Sequence, residues 1–217
     1  MTGPPTSVEE LQAAVAARFD ALALPAWPPP RPIGSQPREE EYSRVTDPGR
    51  YRVVPERAHA WTAELAGLDG VRVEALGDGV RIASSRPGTL PLLLLEREVP
   101  QPGGVAPLAV LTICIGRREV VVTMQPDCGC DACDSGSVDL LEAIDQEVRR
   151  IVGGPFVVLV GPDWQAMWSP NSGQGSNLPG GHEEFRELLD RCSRLASGER
   201  VLMPEGTEVL VGHSWFG

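Results

Sequence analysis

Three cysteines fall within six residues, Cys128-Gly129-Cys130-Asp131-Ala132-Cys133, in the spacing C-x-C-x2-C. Thiolates this close along a chain suit a tetrahedral metal site. The C-x2-C half is the usual zinc knuckle, and Gly129 permits the tight backbone path between the first two sulfurs. Zinc is the expected ion for thiolates in a reducing compartment. No second cysteine pair completes a zinc ribbon, so a fourth ligand has to come from elsewhere. The candidates are His59, His182, His213, Cys192, one of the aspartates Asp127, Asp131 and Asp134, or water. Cys192 is the poorest of them. It shares a helical face with Phe185, Leu188, Leu189 and Leu195, where a free cysteine acts as a small hydrophobe. Cys114, in an apolar strand, is read the same way.

Two other readings of the cluster stand beside zinc. In one it is a metal-free turn with a packing role. In the other it is a redox or reactive thiol, because Cys133 lies just before a helix N-terminus, whose dipole favours a thiolate. Asp127, Asp131 and Asp134 weigh against a nearby anion and would favour a bound cation. A thioredoxin-like role is disfavoured because no βαβ unit precedes the C-x2-C pair.

Weaker chemical signals have plainer explanations. Ser172-Gly173-Gln174-Gly175-Ser176-Asn177, leading through Gly180-Gly181 to a helix, has the composition of a phosphate cradle. No lysine follows, however, and no strand-turn-helix context surrounds it, so a flexible surface loop is expected. There is no nucleophile elbow, H-E-x-x-H or paired-carboxylate motif. Three histidines limit acid–base chemistry.

The elements that must position the cluster follow from hydrophobic periodicity. Val8, Leu11, Val15, Phe19 and Leu22 mark a helix over 7–23, opened by Ser7 and Glu10 as a capping box. Pro25 to Pro37 cannot continue it and reads as a stiff extended spacer. Ala58, Trp61, Leu65 and Leu68 mark a helix over 55–68, with His59 pointing elsewhere. The period then changes to two. Strands are expected around Gly77-Asp78-Gly79, over 90–98, and at 108–115 and 118–124. A helix over 137–152 buries Leu141, Ile144, Val148 and Ile151. Strands at 156–160, 163–168 and 208–211 and a helix over 182–197 complete the chain. The expected class is α+β, with a mainly antiparallel sheet of about five to seven strands and three to four helices. The expected division is 1–37, a helix plus proline-rich spacer, and 38–217, one domain carrying the cysteines.

Composition narrows the function classes. The chain has 217 residues, 41% of them hydrophobic, enough for one domain with a real core. The net charge is −11, and every basic residue is arginine. Such a charge argues against a nucleic-acid partner, since Arg44, Arg50, Arg52 and Arg57 are diluted by Glu39, Glu40, Glu41, Asp47 and Glu56. No signal peptide and no membrane span are expected, which points to the cytoplasm and to reduced cysteines.

The string Cys-Gly-Cys-Asp-Ala-Cys-Asp at 128–134 precedes a helix containing Leu140, Leu141 and Glu142, which exits through Gly153-Gly154-Pro155-Phe156. Together with Ala106-Pro107-Leu108, this resembles an uncharacterised actinobacterial domain-of-unknown-function family over residues 48–215. The resemblance implies a small bacterial cytosolic domain and carries no activity and no catalytic residue. On the residues alone, the expected role is a non-enzymatic, zinc-stabilised module that binds another protein, the acidic surface pointing to protein partners or small cations rather than polyanions. The alternative is a metal- or thiol-dependent enzyme, a hydrolase or redox protein, centred on Cys128, Cys130 and Cys133.

Overall fold

The computed structural model describes residues 4–32, 34–101, 105–178 and 181–217. Helix α1 (Val8–Asp20) starts at Ser7, whose Oγ accepts the Glu10 N–H at 3.3 Å. The Glu10 carboxylate reaches back to the Thr6 N–H rather than to Ser7, so the capping box is shifted by one residue. Leu11, Val15 and Phe19 are buried. Helix α2 (Val53–Ala66) carries Pro55 in its first turn, where the missing N–H costs no helical bond. Its Ala58, Trp61 and Leu65 are buried, while His59 is exposed beside Glu96 at 2.9 Å.

Five antiparallel strands follow as a meander: β1 (Val71–Leu76), β2 (Gly79–Ser84), β3 (Leu92–Val99), β4 (Leu108–Ile115) and β5 (Val121–Gln125). Their inner residues, among them Ile82, Leu92, Leu94, Leu111 and Ile113, join the buried faces of α1 and α2 in one core. Helix α3 (Ser137–Gly153) packs into that core through Leu140, Ile144, Val148 and Ile151. Leu141, expected on this face, is only partly buried. Positions 140, 144, 148 and 151 form a single row at helical spacing, and 141 sits beside it. Leu140→Ala should therefore cost about 2–5 kcal/mol and Leu141→Ala clearly less, as urea unfolding of the two variants would show. Equal costs would mean that the helix is rotated.

The remaining strands form a second antiparallel sheet in the order β8-β7-β6-β9, from β6 (Phe156–Val160), β7 (Gln165–Ser169), β8 (Ser172–Ser176) and β9 (Glu208–Gly212). Helix α4 (His182–Ala196) covers it, burying Leu188 and Cys192 against Val157, Leu159 and Ala166. Four helices and two antiparallel sheets make the fold α+β. Strand β8 corrects the expectation of a flexible loop at 172–177. Its glycines leave room for leucines: a Cβ at Gly173 would stand 2.5 Å from Leu189 Cδ1, and one at Gly175 2.4 Å from Leu178 Cδ1. Gly180, placed in the same expected loop, lies outside the described residues. Among the described residues no helix is long and apolar enough to cross a membrane.

Candidate metal centre

The cysteine loop joins the end of β5 to the start of α3. It brings the Cys128, Cys130 and Cys133 sulfurs within 4.8 Å of one another. A tetrahedral zinc with bonds near 2.3 Å needs sulfurs about 3.8 Å apart, so small side-chain rotations would close the set around an ion. The three thiols can hold a metal ion. Cys130 is buried, and Cys128 and Cys133 are exposed. The Cys133 N–H donates to the Cys130 carbonyl at 3.0 Å and closes the turn between them. Gly129 has φ +75°, and a Cβ there would stand 2.6 Å from Leu108 Cδ2. Both backbone conformation and space thus require glycine between the first two sulfurs.

Two aspartates pin the loop from outside. The Asp131 carboxylate accepts bonds from Arg44 Nε at 2.6 Å, the Thr46 N–H at 2.9 Å and the Thr46 hydroxyl at 2.5 Å. Burial would push its carboxyl up, but the bonds from Arg44 and Thr46 outweigh that and hold it below its ordinary value. Asp134 accepts bonds from Arg50 at 2.7 Å, Trp27 Nε1 at 3.0 Å and the Gly136 N–H at 2.9 Å. The Arg50 guanidinium also lies over the Trp27 and Tyr51 rings, at 5.0 and 5.2 Å from their centroids. Asp131 and Asp134, weighed from sequence as ligands, are therefore anchors of the loop.

The proline run supplies part of this frame. Trp27 and Ser137 are joined by two bonds: the Trp27 N–H donates to the Ser137 hydroxyl Oγ at 3.1 Å, and the Ser137 N–H to the Trp27 carbonyl at 3.0 Å. Arg31 donates to the carbonyls of Asp131 at 3.0 Å and Ala132 at 2.5 Å. A segment read as a spacer is thus docked on the cysteine loop. Sequence reasoning missed Trp27, Arg31, Arg44 and Arg50 as parts of the site. The available signal was charge complementarity between these arginines and the aspartates that flank the cysteines.

The thiols differ among themselves. Burial would raise Cys130, but hydrogen bonds from the Cys128 and Cys133 side chains and from the backbone N–H groups of Cys133 and Ala132 bring it below its usual value. Cys133 is pushed up to about 12, first by its bond with the Cys130 side chain and then by burial. The helix-dipole reading expected a lowered Cys133 thiol, and the neighbouring cysteines instead push it up.

No other candidate ligand joins the three sulfurs among the described residues. His59 pairs with Glu96, and His182 is exposed at the start of α4. The His213 N–H donates to the Gly88 carbonyl at 2.9 Å, and its ring packs where a Gly88 Cβ would be. Cys192 and Cys114 are buried, as expected of core residues, and burial pushes their thiols up to about 12 and about 11. The exposed side of the triad borders a cleft of about 220 Å³, lined by Tyr51, Asp127, Cys128, Cys133, Ser135 and Asp139 among others. Asp127 and Asp139 are exposed there.

A family model described as a family of unknown function (DUF6226) matches residues 14–216. The match begins within α1, so it takes in the docked proline run and the arginine clamps as well as the cysteine string. No curated protein and no solved structure matches the chain.

Proposed function

Since the chain belongs to DUF6226, a family of unknown function, we propose from the site itself that Cys128, Cys130 and Cys133 bind one zinc ion. In this reading the ion ties β5, α3 and the docked proline run into one unit and fixes a surface that binds a protein partner. The observation that carries it is the approach of three sulfurs to within 4.8 Å on a loop braced by Arg31, Arg44 and Arg50. Preassembly matters because a ligand set closed over six residues loses little chain entropy on binding. The net charge of −11 supports a protein partner over a polyanion. A reducing cytoplasm would keep the thiols available, and the arginine-only basic usage accords with an actinobacterial, GC-rich origin.

Protein purified without added metal should contain about one zinc per chain by elemental analysis. Affinity should fall as the pH drops, because each thiolate must lose a proton to bind. Metal-free protein whose unfolding is unchanged by chelator would sink the zinc reading and leave the metal-free turn.

The cleft favours a second reading, a zinc hydrolase. A zinc held by three thiolates would leave a fourth position for water, whose deprotonation it would favour, and Asp127 and Asp139 line the same cleft as Cys128 and Cys133. Hydrolysis of an activated ester that is lost in Asp139→Asn, with zinc content unchanged, would support it.

A further inference from the structure

On the side of the molecule where α1 begins and α3 ends lies a second cleft of about 530 Å³. Its lining includes Glu9, Gln146, Arg149, Arg150, Asn171 and Ser172. Arg150 is engaged: it pairs with Glu147 at 2.5 Å and donates to Ser172 Oγ at 3.1 Å, and its guanidinium lies over Phe156. Arg149 is different. It forms no ion pair among the described residues, and its Nε, like that of Arg150, is buried with no hydrogen-bond partner. Several other arginines also lack a carboxylate partner, namely Arg52, Arg72, Arg86, Arg97, Arg186 and Arg200, but all of them are exposed to water. Arg149 alone combines partial burial with the lack of a carboxylate, in a chain with 30 acidic residues and 19 basic ones.

A cation partly withdrawn from water with no carboxylate beside it is destabilising, and a buried donor left unmade adds to that cost. We infer that this cleft binds an oxyanion, the carboxylate or phosphate group of a small molecule, with the Arg149 guanidinium as its main contact. Guanidinium presents a planar fork that matches two oxygens of such a group. Asn171 and Ser172 line the same cleft with neutral donors. Glu9, exposed at the rim from the first turn of α1, is the acidic residue in the lining and opposes the anion. The site is separate from the cysteine loop and does not depend on a metal there.

Inorganic phosphate and succinate, titrated separately into the full chain and followed by calorimetry, test this and separate the two sources. At least one should bind the wild-type protein. Arg149→Gln should weaken that binding by about tenfold or more, and Arg149→Lys, which keeps the charge but loses the fork, should weaken it less. Glu9→Gln should bind as well as wild type or better. Should Arg149→Gln fail to fold, Arg149→Lys carries the comparison, with a loss still expected. No binding of either anion by the wild type, or equal binding by both Arg149 variants and wild type, would overturn the inference.

Discussion

Cys130→Ser should weaken zinc binding by roughly two to four orders of magnitude, whereas Cys192→Ser should leave zinc content unchanged. Cys130 is the buried member of the triad, and Cys192 lies on α4 against the second sheet. Structural zinc in small thiolate sites contributes about 10–16 kcal/mol of apparent binding free energy at neutral pH. One of three thiolates carries a share of about 3–5 kcal/mol, equivalent to roughly two to four orders of magnitude in affinity. Competition against a chelator of known affinity reads that loss directly. Amide exchange reads its consequence. With the loop untied, protection should drop at Asp131 and Ala132, whose N–H groups donate to the carbonyls of Arg44 and Glu41, and at Ser137, which donates to Trp27. Full zinc retention by Cys130→Ser would remove that sulfur from the ligand set and return the cluster to a turn or redox role.

Asp145→Ala should be among the most destabilising single changes in the chain. The carboxylate sits on the inner side of α3 and is 3% exposed. It accepts bonds from Arg57 Nε at 2.8 Å, Arg57 Nη2 at 2.5 Å and Trp61 Nε1 at 2.7 Å, and faces Gln12 Nε2 at 3.5 Å. One acid therefore joins α1, α2 and α3. Its removal leaves the Arg57 cation buried and unpaired and the indole N–H without an acceptor, at a cost of about 3–5 kcal/mol. For a chain of this size that is a fall of roughly 6–20 °C in Tm. Replacing both partners by apolar residues, Asp145→Leu with Arg57→Met, should recover much of the loss, because neither charge then remains desolvated alone. Thermal unfolding of the three proteins distinguishes a costly unpaired charge from a simple packing defect, in which the double variant would be no better than the single.

The same network shows where sequence patterning stops. The α3 stripe was legible because apolar residues recur at helical spacing, but the period alone did not choose between Leu140 and Leu141. Nor did it show that the charged residue Asp145 turns inward. That depends on Arg57 and Trp61, which stand 88 and 84 residues earlier in the chain. Burial of an ion is decided by its partner, and local sequence does not contain the partner.

Local sequence was enough wherever the physics is local. Helix periods, the change to strand alternation, the turn at Gly77-Asp78-Gly79 and the α+β class all follow from neighbouring residues. So does the cysteine loop, because its sulfurs are tethered within six residues and Gly129 permits the turn between them. Tertiary structure decided the rest. It divided the strands into two sheets, made a strand of the glycine-rich segment 172–176, and docked the proline run on the cysteine loop. It took Asp131 and Asp134 out of the set of free ligands by pairing them with Arg44 and Arg50. Each of these outcomes rests on contacts between residues far apart in the chain. Their free energy is gained only when the whole fold brings the partners together, so no window of sequence contains it.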